Sequence, residues 1–135
     1  MKINELRYFN YVYLNGHTHP IRQISGFHAY HHPHPMVEIE NVSGLYGIHT
    51  IEPIQLTSKL LIKLGFCRYE NSPNKFLSKR VNGLRLMIRM DMFDSNRFFF
   101  VMNQNWIIDI KSVHHLQNLF FSLTGEELVF SSTEP

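Results

Sequence analysis

The sequence predicts an α+β domain: an antiparallel sheet of about eight short strands, open or closing toward a barrel, with one short middle helix and one long C-terminal helix. Three observations predict it. Two Asn-Gly pairs, Asn15-Gly16 and Asn82-Gly83, sit between runs of alternating polarity, the strongest short hairpin signal, because both residues tolerate positive φ. One segment, Ser112 to Leu128, carries a helix start, an apolar face and a stop. At 135 residues and 44% hydrophobic side chains, with no internal repeat and no linker-like stretch, residues 1–135 suit one domain with its own core.

Taken in order, Asn4 to Arg7 read as a short capped turn and Tyr8 to Leu14 as a strand, with Tyr11 and Tyr13 on one face and Val12 and Leu14 on the other. His17 to Ile24 returns antiparallel. Residues 26–35, GFHAYHHPHP, read as a His/Pro-rich loop, since two prolines and four histidines disfavour a regular central strand. Met36 to Val42 alternates Val37 and Ile39 against Glu38 and Glu40, Ser43-Gly44 turns, and Tyr46 to Ile51 returns. Thr57 caps a helix from Ser58 to Leu64, with Leu60, Leu61 and Leu64 inward, Lys59 and Lys63 outward and Gly65 as the stop. Phe66 to Glu70 and Lys75 to Arg80 flank a turn at Asn71 to Asn74, and Leu84 to Met90 follows Asn82-Gly83. Beyond the loop Asp91 to Asn96, Phe98 to Met102 and Trp106 to Ile110 form the last hairpin. Ser112 then caps a helix striped by Val113, Leu116, Leu119, Phe120 and Leu123, closed by Gly125, and Val129-Phe130 reads as an edge strand.

Composition narrows the function classes. Eleven Phe, six Tyr and one Trp argue against intrinsic disorder. A single cysteine, Cys67, cannot form an internal disulfide and reads as a small buried hydrophobe. No leader pattern opens the chain and no apolar run approaches a membrane span, so a soluble cytoplasmic protein is expected. The net charge of +2 conceals an uneven distribution: −1 over residues 1–58, +6 over 59–97 and −3 over 98–135. A basic middle can steer an acidic partner.

Histidine is the conspicuous excess, with seven of nine between His17 and His49. In a strand His17 and His19 share a face, so a metal site completed by His31, His32 or His34 is geometrically possible. HHPHP contains no carboxylate, however, and its prolines bar the helix on which zinc motifs such as HExxH depend, so no metal and no cofactor is assigned; a solvent-exposed loop is the simpler reading. Neither a Gly-rich phosphate loop nor GxSxG nor CxxC is present, and Asp91 and Asp94 suit turn formation, so no catalytic residue is assigned. His114-His115 at the helix start suits capping or packing, and Gln117 and Asn118, beside the apolar stripe, suit bonds to sheet backbone.

The basic hairpin carries the sharper signal. A two-residue turn at Asn82-Gly83 sets Arg80 opposite Arg85, Ser78 opposite Met87 and Phe76 opposite Arg89. Like charges opposed across strands are unfavourable by roughly 0.2 to 1 kcal/mol, which a bound anion relieves. The plain alternative is that both guanidiniums splay into water or meet Glu38, Glu40 or the tail acids. With Lys75, Lys79 and the stacking surface of Phe76, this segment is the candidate contact for a partner or nucleic acid.

His114 to Leu128, HHLQNLFFSLTGEEL, resembles the C-terminal signature YVHQLQNLYFALTGEEL of a group of small uncharacterised bacterial and phage mobile-element proteins. Asn4-Glu5-Leu6-Arg7 with Asn10-Tyr11-Val12 is similar to that group's opening ELRIGNYV, and Ile51 to Thr57 through Leu64-Gly65-Phe66 to its IxPIxLTxxxLxxxGF. Ser112, His115 and Phe120 depart from the signature, as does the His-rich segment. The resemblance implies a shared scaffold and no activity. With the basic hairpin it leads to the expectation of a non-enzymatic binding protein, an inhibitor of a host nucleic-acid-targeting defence system of the anti-CRISPR kind, whose partner is a protein or ribonucleoprotein. A His-dependent metal-binding protein or metalloenzyme and a direct RNA or single-stranded DNA binder are the alternatives.

Overall fold

The protein is described from a computed structural model, which covers residues 5–14, 17–28, 35–68, 76–91, 93–94, 96–103 and 106–131, with backbone alone at 17–20, 102–103 and 106. The class is α+β: ten strands among the described residues form two antiparallel five-stranded sheets, one of them curled into a half-barrel, with two helices. The strand signals are thus shared between two sheets where the sequence suggests one. The chain clusters into two compact units, residues 1–54 with 112–119 and residues 55–111 with 120–135, and each holds one sheet.

In the first unit the sheet order is β4-β3-β2-β1-β5, comprising β1 (Tyr11–Leu14), β2 (His17–His28), β3 (Met36–Ile39), β4 (Val42–Gly47) and β5 (Ile51–Glu52). Val12 and Leu14 are buried while Tyr11 and Tyr13 are half-buried, the expected alternation. With Leu6, Ile24, Val37, Ile39 and Ile51 they form a core flanked by Phe27, Val42, Tyr46 and Ile48.

Three expectations change here. Tyr8 and Phe9 are not strand: they form an exposed turn in which Phe9 takes φ 72, a left-handed conformation uncommon for a bulky side chain. β2 does not stop at Ile24 but runs to His28, because a register shift between Ile24 and Gly26 lets Gly26, Phe27 and His28 pair with Glu38, Val37 and Met36. The predicted loop therefore starts after His28, and its residues 29–34 lie outside the described ones. The β3–β4 turn falls at Glu40-Asn41, with Asn41 at φ 63 and Ile39 opposite Val42, rather than at Ser43-Gly44, which lies in β4.

In the second unit the sheet order is β10-β9-β8-β7-β6: β6 (Cys67–Arg68), β7 (Phe76–Val81), β8 (Leu84–Met90), β9 (Phe98–Asn103) and β10 (Trp106–Ile110). Helix α1 (Ser58–Lys63) starts where Thr57 Oγ1 accepts from Leu60 N–H at 3.1 Å and ends at Gly65, φ 96. Asn82 and Gly83, at φ 51 and 84, make the two-residue turn. Residues 69–75 lie outside the described set, and Val129-Phe130 form no strand, although Ser131 N–H donates to Lys63 O at 2.8 Å. Cys67 is exposed, not buried.

Helix α2 (Val113–Thr124) is capped by Ser112, whose Oγ accepts from His115 N–H at 3.2 Å, and closes at Gly125, φ 74. Val113, Leu116 and Phe120 are buried as the stripe requires. Among the described residues no helix is long and apolar enough to cross a membrane.

Candidate binding face on the second sheet

The register of β7 on β8 decides which basic side chains act together. Arg80 lies opposite Arg85, Ser78 opposite Met87 and Phe76 opposite Arg89, the arrangement expected from Asn82-Gly83. Strand alternation then places Phe76, Arg80, Arg85 and Arg89 on one face. Leu77, Val81, Leu86 and Ile88 take the other and are buried. Lys79 shares that second face, and its ammonium lies against Gly65 at the C-terminal end of α1, whose partly negative character favours a cation. It is separated from the arginines, and Lys75 lies outside the described residues.

Two further residues join the face from β9 and its approach. Phe99 is the partner of Arg89 on β9, so Phe76, Arg89, Phe99 and, on β10, Asp109 form one row across four strands. The Arg89 guanidinium carbon stands 5.2 Å from the Phe99 ring centre and that of Arg97 5.1 Å from it, both within cation–π range. Parity along Phe98-Phe99-Phe100 is the signal that finds Phe99, since Phe98 and Phe100 are buried and Phe99 must point the other way.

The two arginines over that ring differ in their electrostatics. Arg97 is neutralised: Nη2 donates to Asp109 Oδ2 at 3.2 Å, and Nη1 stands 4.0 Å from Asp91. Lys111 donates to the same Asp109 oxygen at 2.7 Å, and this bond, helped by Arg97 and the positive charge of both, holds the Asp109 carboxyl below its usual range against the opposing effect of burial. Arg89 has no carboxylate within 4.0 Å among the described residues and rests on the Phe99 ring. Arg80 and Arg85 are exposed at the hairpin tip.

The histidine readings separate differently. His17 and His19 lie in β2, with side chains outside the described set, and His31, His32 and His34 lie wholly outside it. Among the described residues no group of three His, Cys, Asp or Glu is placed to hold a metal. His28 stands 3.3 Å from Glu38, whose carboxylate occupies the space that a Cβ at Gly26 would need. His114 is buried, with Nδ1 3.0 Å from Ser112 Oγ, and burial pushes its pKa down to about 4 despite the opposing charge of Glu5, so the ring is neutral at pH 7. That Ser–His contact belongs to a helix cap. Comparison with protein-family models, with curated proteins and with solved structures finds no match.

Proposed function

We propose that this chain is a non-enzymatic binding protein whose β7–β8–β9 face engages a nucleic-acid-bearing partner, such as the ribonucleoprotein of a host defence system inhibited by a mobile element. The observation that carries this reading is the gathering of Arg80, Arg85 and Arg89 on one face, with Arg89 resting on Phe99 and meeting no carboxylate among the described residues. Stacking on an aromatic ring fixes a guanidinium while leaving its N–H edge directed outward, an arrangement suited to phosphate. The mobile-element origin rests on the likeness of the α2 sequence to the mobile-element signature.

Capture from a host lysate with the purified chain, with and without nuclease, tests the reading. A ribonucleoprotein recovered by the parent protein and lost with the R80E/R85E double variant is expected. Equal recovery with the double variant refutes the use of this face.

A further inference from the structure

Resting on that reading and deepening it, we infer that the ligand of the β7–β8–β9 face is single-stranded nucleic acid, laid along β8 with phosphates at the arginine positions and a base against Phe76. The layout motivates it. Arg85 and Arg89 are separated by four residues of one strand, with Met87 between them on the same face. At about 3.4 Å per residue that puts the two cationic positions roughly 14 Å apart, with an apolar interval of Met87, Phe76 and Phe99 beside and between them. Charge, apolar surface and charge in succession match a strand whose phosphates alternate with unstacked bases. In a duplex the bases are paired and stacked within, so the apolar interval would meet nothing; an acidic peptide would satisfy the arginines and leave Phe76 without a role.

Phe76 and Arg89 have distinct tasks. Phe76 is half-buried and stands directly across from Arg89, so an aromatic ring and a guanidinium lie side by side at about 5 Å between Cβ atoms. A base stacked on Phe76 places its phosphate toward Arg89, whose donors are not engaged by any carboxylate among the described residues. Arg80 and Arg85 hold the strand where it passes the hairpin tip.

Fluorescence anisotropy of a labelled oligouridylate of about twelve nucleotides, a length within the range sheet-based single-strand binders occupy, tests the inference against the same length of duplex RNA and against heparin. Binding of the single strand is expected, weakened about 5- to 100-fold by F76A, the range seen on removing one stacking platform, and weakened also by R89Q. R89K retains charge and loses the flat stacked fork, so it should recover only part of the loss. Circular dichroism on each variant separates lost binding from lost folding; if F76A unfolds, F76L keeps the bulk and removes the aromatic face. Heparin and duplex bound as well as the strand, with no effect of F76A or F76L, would overturn the inference while leaving a basic face that binds polyanions. No binding to any of the three would remove the nucleic-acid reading of the face as well.

Discussion

The approach to β1 and the β7–β8 hairpin both concentrate polar side chains, and they use them in opposite ways. At the first, Arg7, Asn10, Gln117 and Asn118 engage their polar groups inside the protein. Gln117 accepts from Tyr11 N–H at 2.8 Å and donates to Phe9 O at 3.0 Å. Asn118 donates to Glu5 O at 2.8 Å and accepts from Arg7 Nε and from Asn10 Nδ2, each at 2.9 Å. Arg7 N–H in turn donates to Asn10 Oδ1. No buried side-chain nitrogen or oxygen among the described residues lacks a partner. At the second, Arg80 and Arg89 meet no carboxylate among the described residues and like charges face each other. Polar groups that satisfy one another specify a fold, whereas charges left at the surface are available to something else. The start of α2 and the segment that precedes β1 are the two sides of that first network.

The contrast is most easily broken by acid. His114 belongs to the internally satisfied region, and its folded pKa of about 4 lies below the unfolded value near 6.5. A depressed histidine leaves the unfolded chain binding the extra proton, so stability is full above about pH 6.5 and is lost as pH falls toward 4, by about 3 kcal/mol in all. Urea unfolding at pH 7 and at pH 4.5 should show that loss in the parent protein and a clearly smaller one in H114Q. Equal losses would mean that His114 is not the group responsible.

Cutting the network itself is expected to cost slightly less. Gln117→Leu keeps the volume but removes the acceptor of Tyr11 N–H and a donor to Phe9 O, and two lost bonds at this half-buried place amount to roughly 2 kcal/mol by urea denaturation at pH 7. Phe9 O retains its bond from Gln23 Nε2 at 2.9 Å, which caps the damage. An effect under 0.5 kcal/mol would show that water replaces the amide and that the network is not internal at all.

Phe9 tests the same region with the opposite sign. It is half-exposed, at 54%, and its φ of 72 is imposed by bonds on either side: its N–H donates to Ile24 O at 2.9 Å and its carbonyl takes both glutamine amides. Phe9→Gly should therefore stabilise by about 1 kcal/mol in thermal melting, since glycine adopts this conformation without steric cost and little buried surface is lost.

How much of this the sequence discloses follows from how local each cause is. The register Arg80 to Arg85, the caps Thr57 and Ser112 and the alternation of β1 depend on neighbours in the chain, and all were readable. The left-handed Phe9 was not, because nothing in a phenylalanine announces positive φ; the conformation is dictated by Gln23 and Gln117, 14 and 108 residues away. The division into two sheets depends on which strands meet, such as β1 lying between β2 and β5, and a string of strand signals does not contain it. At the candidate face, parity alone separates Lys79 from the arginines. Arg97 needed the β8–β9 register and the ion pairs of the Asp91–Asp109 end, both of which are long-range.

The smallest effect discriminates most sharply between the two regions. Arg80→Gln removes one of two opposed cations at an exposed position and breaks no ion pair with any described carboxylate. Relief of the cross-strand repulsion should leave the protein as stable as before or more so by about 0.5 kcal/mol, with the gain shrinking as salt screens the pair. In the first region the opposite sign is expected at Gln117 and Asn118, because their amides serve the fold. If Arg80→Gln instead destabilises by 1 kcal/mol or more, the arginine is a structural group and the hairpin joins the first region in kind. If the variant is neutral or stabilised, Arg80 is not needed by the fold, the outcome expected of a side chain kept for binding.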